Sequence, residues 1–146
     1  MIDMLFNKVS TLNFCTVFPP AEPEEIAAAG NYLVSRGLAA VPAGYAEFLR
    51  LSDGMSFDGV EFYGAVPKKR REYTFPDLKT AGEPYYKYEY FKNKIVIGRL
   101  SESIILYNAN EDIYALIDRV NLRSRVEWAS FEELFRYMMK ISCAEA

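Results

Sequence analysis

Three acidic residues lie close together in the sequence: Asp53, Asp58 and Glu61. Neighbouring carboxylates can exchange protons with a substrate or hold a cation, so this cluster is the first candidate for chemistry. Its spacing does not match a calcium-binding EF-hand loop, and both aspartates precede glycine, which is typical of turns. We therefore predict turn residues. Two alternatives stay open: an acidic rim that binds a partner, and a carboxylate-based site for catalysis, a metal or a small ligand.

The chain contains no histidine. This absence removes the usual general base near neutral pH and the commonest metal ligand, and it excludes Ser–His–Asp and Cys–His nucleophile systems. Cys15 therefore has no histidine to activate it, and we expect Cys15 and Cys143 to be reduced thiols. We predict no catalytic residue, no metal and no cofactor.

An aromatic run at residues 85–91 is the second candidate site. Alternate rings could pack on a sheet while Lys87 and Glu89 face water, or the tyrosines could form an exposed patch of the kind that is enriched at protein interfaces. Rings mixed with charges also suit single-stranded nucleic acid, but no basic groove accompanies them. The candidate partner-binding residues are Asp53, Asp58, Glu61, Tyr63, Tyr85, Tyr86, Tyr88 and Tyr90.

Charge and length narrow the classes of partner. The 146 residues carry a net charge of −3, which argues against general affinity for nucleic acid or anionic membranes. Residues 1–60 hold three basic and seven acidic side chains, an excess that would favour a basic partner. The basic run at 68–71 is typical of a solvated loop, although a phosphate-binding or localisation role is an alternative. The length suits a single domain over residues 1–146.

The N-terminus has neither the basic start nor the apolar run of a signal peptide, and no apolar stretch is long enough to span a membrane. We therefore expect a cytoplasmic protein.

Hydrophobic periodicity predicts an α+β fold in which helices come first, an antiparallel sheet follows and one helix closes the chain. Ser130 and Glu133 form a capping-box signature at the start of that last helix. The segment 65–93 is the least regular, with one helical turn expected near 77–83. The predicted helices cover residues 2–12, 23–37, 43–52 and 131–141. The predicted strands cover residues 55–57, 60–64, 95–98, 104–107, 113–117 and 126–128.

Several sequence pieces, in order, resemble the SUKH superfamily, in particular its branch akin to the yeast cell-wall synthesis regulator. The first piece is VPAGYAEFLRLSDG at 41–54, which is similar to the family's Pro, Tyr, Phe-Leu and Asn/Asp-Gly signature. The others are GVEFYG at 59–64, IVIG at 95–98 with the IILY strand after it, and WASFEEL at 128–134. The resemblance covers roughly residues 22–142.

This resemblance implies a twisted antiparallel sheet flanked by helices, and a protein that binds other proteins without catalysing a reaction. Many bacterial members are immunity proteins, which neutralise a toxin of the nuclease or deaminase type by binding it directly. We therefore expect a cognate toxin domain as the partner, with the acidic N-terminal part able to mimic nucleic acid. An intracellular interaction scaffold unrelated to toxins is the alternative. No prediction of oligomeric state follows.

Overall fold

Within residues 2–12 and 15–142, the computed structural model of this protein contains five α-helices and nine β-strands. The helices are α1 (Ile2–Ser10), α2 (Pro23–Ser35), α3 (Ala43–Leu49), α4 (Leu78–Ala81) and α5 (Phe131–Ser142). The strands are β1 (Cys15–Val17), β2 (Met55–Phe57), β3 (Val60–Phe62), β4 (Lys68–Arg70), β5 (Tyr73–Phe75), β6 (Lys94–Leu100), β7 (Ser103–Asn108), β8 (Ile113–Asp118) and β9 (Ser124–Trp128).

Seven strands form one antiparallel sheet in the order β1-β2-β3-β6-β7-β8-β9. Two long segments leave this sheet: residues 18–54, which contain α2 and α3, between β1 and β2, and residues 63–93, which contain the β4–β5 hairpin and α4, between β3 and β6. The predicted α+β class, the antiparallel meander, the N-terminal helices and the C-terminal helix are confirmed.

One face of the sheet packs against α3 and α5 through aromatic rings. Phe62 of β3 lies 5.2 Å, between ring centroids, from Phe131 at the start of α5, and 5.7 Å from Phe48 of α3. All three rings are buried. Gly98 lies opposite Phe62 in β6, where a Cβ atom would come within 2.1 Å of the Glu61 carbonyl oxygen. Glycine at this position therefore allows β3 and β6 to pair closely beside the Phe62 ring.

The opposite face is partly covered by the excursion between β3 and β6. Helix α4 contacts β6, and the chain then passes through a 3₁₀ turn at Glu89–Phe91. The Tyr86 ring lies directly over Gly82, and its hydroxyl accepts a hydrogen bond from the Val96 backbone N–H at 3.0 Å. Phe91 is fully buried. These contacts fix the aromatic run against the sheet.

Local structure differs from prediction in several places. The loop predicted at 68–71 is wrong over Lys68–Arg70, which form β4 and pair with β5 in a hairpin. The sequence did not predict β1, whose three residues follow closely after α1 and pair with β2. Helix α3 ends at Leu49, earlier than predicted, because the chain must turn through Ser52 into β2. Cys143 lies outside the described residues.

Candidate functional site

Asp53 is buried and holds two parts of the chain together. Its carboxylate is 4% exposed, accepts the Ala65 backbone N–H at 2.6 Å and pairs with the Lys68 ammonium at 2.5 Å. A Cβ atom at Gly64 would lie 2.5 Å from the same carboxylate, so glycine lets the returning chain come this close. The structure therefore places Asp53 among the groups that stabilise the fold, and not on a surface that a partner can reach.

Asp58 and Glu61 lie apart from Asp53 and have separate roles. Asp58 is exposed and, with Gly59, forms the two-residue turn between β2 and β3, where both residues have positive φ, as a tight hairpin requires. Glu61 accepts two hydrogen bonds from the guanidinium of Arg99, its partner on the neighbouring strand β6, at 3.1 and 3.2 Å. The three carboxylates do not converge on one pocket. Over residues 2–12 and 15–142, no group of three or more acidic or cysteine side chains could hold a metal.

The predicted tyrosines divide into buried and accessible ones. Tyr63 and Tyr86 are buried, and burial raises the pKa of both hydroxyls well above the usual value. Tyr90 is partly buried, with the Lys94 ammonium 4.5 Å from its ring centroid. Tyr85 is also partly buried, whereas Tyr88 is 53% exposed. The aromatic run therefore combines both predicted arrangements, because some of its rings pack on the sheet and others reach the surface.

Tyr85 and Tyr88 line an apolar groove of about 380 Å³, which we call the Tyr88 groove. One wall comes from the aromatic run, and the other comes from the turn between β8 and β9, which includes Val120 and Leu122. Val120 is 85% exposed, the most exposed large apolar side chain in the described chain. Arg119 is the one charged residue in the lining.

A smaller cavity of about 140 Å³, the arginine pocket, adjoins the groove and shares Tyr85 and Arg119 with it. Its lining includes a second guanidinium, that of Arg99, together with Tyr63 and Glu102. Arg119 pairs with Glu102 at 2.6 Å, and both side chains are more than half exposed. Tyr63 and Tyr85 therefore meet at one site, to which Glu61 is joined through its pair with Arg99. Of the other predicted residues, Asp53 is held at Lys68, and neither Tyr86 nor Tyr90 lines the groove or the arginine pocket.

Antiparallel pairing places this site at one end of the sheet. The β2–β3, β6–β7 and β8–β9 turns all lie at that end, and Ser101 of the second turn donates its backbone N–H to the Gly59 carbonyl of the first. In the third turn, the Asp118 carboxylate accepts the backbone N–H groups of Val120 and Asn121, which lowers the pKa of Asp118. These bonds hold the turn in the shape that exposes the Val120 side chain.

No protein-family model matches the chain, and no curated protein does either. Within the described segments, no helix has the length and apolar character needed to cross a membrane.

Sequence reasoning missed Arg99, Arg119, Val120 and Leu122, which complete the site. One signal was present: two apolar residues stand in the polar turn DRVNLR at 118–123, where neither is needed to form the turn. The acidic excess of residues 1–60 does not contribute, since no described residue of that part lines the groove or the arginine pocket. A separate cavity lies between α1, α3 and α5, with Asp3, Glu47, Glu132 and Arg50 in its lining.

Proposed function

We propose that this chain is a non-catalytic domain that binds another protein through the Tyr88 groove. The observation that carries the proposal is that Tyr88 and Val120, both exposed apolar side chains, face one groove from independent elements. Exposed apolar side chains that gather on one concave surface are typical of interaction sites, whereas single ones are ordinary.

The groove has the composition of an interface centre. Tyrosine offers a large, rigid contact area with little rotamer entropy to lose, and it is enriched among residues whose removal weakens binding most. Phe91 supports the wall from below, with its ring centroid 5.7 Å from that of Tyr85. Because this wall is already packed against the sheet, little of it has to become ordered when a partner binds.

The non-catalytic part of the proposal is supported by the arrangement of the carboxylates. Asp53 is engaged by Lys68 inside the protein, Glu61 is engaged by Arg99, and Asp58 is a turn residue. Without histidine, these acidic groups were the best remaining candidates for acid–base chemistry, and a paired-carboxylate mechanism needs two of them at one pocket. The carboxylate-based enzyme that the sequence left open is therefore not proposed.

We propose a bacterial toxin domain of the nuclease or deaminase type as the partner, so that the chain acts as an immunity protein in the cytoplasm. This identity rests on the sequence resemblance to the SUKH superfamily, and the α+β meander between N-terminal and C-terminal helices agrees with what that resemblance implies. An intracellular scaffold for a housekeeping partner would use the same groove and is the alternative.

Co-expression with the toxin domains encoded beside this gene tests the proposal. The wild-type chain should protect cells from one of them, and Tyr88→Ala and Val120→Asp should each abolish protection while leaving the thermal midpoint unchanged. Val34→Asp is the matched control, because Val34 is an exposed apolar residue of α2 outside the groove. Its protection should equal that of the wild type.

Titration calorimetry of the purified toxin domain with the wild-type chain and with each variant separates the possible outcomes. Loss of one hot-spot side chain should weaken binding by at least about thirtyfold. Protection that survives both groove variants would refute the groove as the binding surface. If no neighbouring toxin is neutralised, yet an endogenous protein is captured by the wild type and not by Tyr88→Ala, the scaffold function replaces the immunity function.

A further inference from the structure

We infer that the partner inserts a carboxylate between Arg99 and Arg119 and places a neighbouring apolar side chain in the Tyr88 groove. This inference rests on the proposed function and specifies the chemistry of the partner: a protein segment in which an acidic residue lies next to an aromatic or aliphatic one. The chain's own net charge of −3 would not suggest an acidic ligand.

The two cavities form one continuous site. Tyr85 and Arg119 belong to both linings, so Arg119 stands where the apolar groove meets the polar pocket. The larger cavity, at about 380 Å³, can take an apolar side chain, and the smaller, at about 140 Å³, suits a carboxylate group. Adjacent residues of an extended segment are only about 3.3 Å apart along the chain, so neighbouring positions can fill both.

Both guanidinium groups have hydrogen-bonding capacity to spare. A guanidinium carries five N–H donors in a planar fork that matches a carboxylate, and Glu61 uses the Nε and one Nη of Arg99. The side chains of Arg99 and Arg119 are 55% and 53% exposed, so they can be reached from solvent. Arg99 lies in β6 and Arg119 lies in the turn between β8 and β9, so the two side chains could bind one carboxylate from two sides.

Glu102 occupies the position that the partner's carboxylate would take. It pairs with Arg119, yet its side chain is 80% exposed and stands on a turn. Exposed ion pairs contribute little to stability, so exchanging this carboxylate for one supplied by a partner costs little. Desolvation by the partner's apolar side chain in the groove would then strengthen the new ion pair.

Charge favours a carboxylate over a phosphate. Arg99 and Arg119 are balanced by Glu61 and Glu102, and the displacement of Glu102 alone leaves one net positive charge. One carboxylate neutralises that charge, whereas a phosphate dianion would leave an excess of negative charge beside Glu61. Nucleic acid would in addition need a continuous basic surface along its backbone, whereas at this end of the sheet Glu61, Glu102 and Asp58 are interspersed with the arginines.

The test uses 4-phenylbutyrate as the probe, since it joins one carboxylate to an apolar ring, with 4-phenylbutylamine, 4-phenylbutyramide and phenyl phosphate as matched controls. Titration of 4-phenylbutyrate into ¹⁵N-labelled protein should shift the Nε–H signals of Arg99 and Arg119 and the backbone amide signal of Val120. The amine and the amide should bind at least about tenfold more weakly, because each lacks the charge-assisted hydrogen bonds.

Arg119→Gln and Arg99→Gln should each reduce the affinity for 4-phenylbutyrate roughly tenfold. Arg123→Gln is the matched control, an arginine near the same turn that lines neither cavity, and its affinity should equal that of the wild type. Unchanged thermal midpoints show that all variants are folded.

Equal binding of the amide and the carboxylate, or an affinity that survives both glutamine variants, would overturn the inference while leaving the groove and the proposed function in place. Tighter binding of phenyl phosphate would overturn it in favour of a phosphorylated ligand. A complete lack of binding by 4-phenylbutyrate would also overturn it. The proposed function is decided separately, by the protection assay with Tyr88→Ala.

Discussion

Two carboxylate–cation pairs in this molecule have the same chemistry and opposite surroundings. The Asp53–Lys68 pair is buried, with the two side chains 4% and 18% exposed, and its carboxylate also accepts the Ala65 backbone N–H. The Glu102–Arg119 pair spans two surface turns, with the two side chains 80% and 53% exposed. The first pair joins the end of α3 to the start of the β4–β5 hairpin, and the second stands at the edge of the Tyr88 groove.

The comparison shows that burial, and not residue type, separates a structural carboxylate from an exchangeable one. A buried carboxylate that loses its cation has no water to replace it, so its partner cannot be exchanged for a ligand. An exposed carboxylate is solvated in either state and can be displaced. Four experiments test this contrast.

The largest effect is expected from Asp53→Ala. It leaves the Lys68 ammonium partly buried without its counter-charge and removes the acceptor for the Ala65 N–H, so the free energy of unfolding should fall by about 3–5 kcal/mol. Urea denaturation followed by far-UV circular dichroism measures this change. A loss below about 1 kcal/mol would show that the Asp53–Lys68 pair contributes no more to stability than an exposed ion pair does.

Ser52→Ala should have the next largest effect in the same region. The Ser52 hydroxyl is fully buried, accepts the Phe18 backbone N–H at 3.1 Å and donates to the Gly54 carbonyl at 2.5 Å. Alanine leaves both backbone groups without this partner, so we expect a loss of about 1–3 kcal/mol in the same urea experiment. Ser52→Gly should destabilise the fold further, because glycine also makes the unfolded backbone more flexible. A stability equal to that of the wild type in either variant would show that the two Ser52 hydrogen bonds do not stabilise the fold.

Alkaline pH provides a third test, at the base of the arginine pocket. Burial, and then the negative charge of Glu61, raises the pKa of the Tyr63 hydroxyl. The folded chain therefore holds this proton more tightly than the unfolded chain. The stabilisation is complete below the unfolded pKa of about 10 and is lost as the pH rises toward the folded pKa.

The urea midpoint should therefore fall above about pH 10, and Tyr63→Phe should make that fall shallower while keeping the ring in place. Urea titrations at a series of pH values from about 8 to 11 measure both curves. Parallel curves for the two proteins would show that Tyr63 is accessible to solvent in the folded state.

The smallest effects are expected at the groove. Glu102→Ala and Val120→Asp should each change the free energy of unfolding by no more than about 0.5 kcal/mol, because both side chains are largely exposed. Glu102→Ala should in addition tighten the binding of 4-phenylbutyrate, since the competing carboxylate is gone. A large loss of stability in either variant would show that this end of the sheet stabilises the fold, as the Asp53–Lys68 pair does.

The sequence predicted well the features that depend on local patterns. The capping signature at Ser130 and Glu133 is present, with the Glu133 backbone N–H donating to the Ser130 hydroxyl at 3.2 Å. The β-rich runs at 95–98, 104–107 and 113–117 lie within β6, β7 and β8, because hydrophobic runs bounded by turn residues have few other solutions.

The site was harder to predict because its parts come from separate turns. Nothing in the sequence shows that Arg99 and Arg119 line one pocket, since this depends on which strand ends share an edge of the sheet. The same limit applies to Asp53, whose neighbour Gly54 indicated an exposed turn while its partner Lys68 lies in a run that was predicted to be a solvated loop. Long-range pairing decided both cases, and single-sequence patterns do not encode it.

The order of the sheet has a consequence for how the chain folds. The β2–β3 pair and the strands from β6 to β9 are joined by short turns, so these contacts close short loops and form quickly. Two closures are long: β1 pairs with β2 after residues 18–54, and β6 pairs with β3 after residues 63–93. The second of these excursions carries the Tyr85 and Tyr88 wall, so we expect the binding surface to be completed late in folding, after the hairpins have formed.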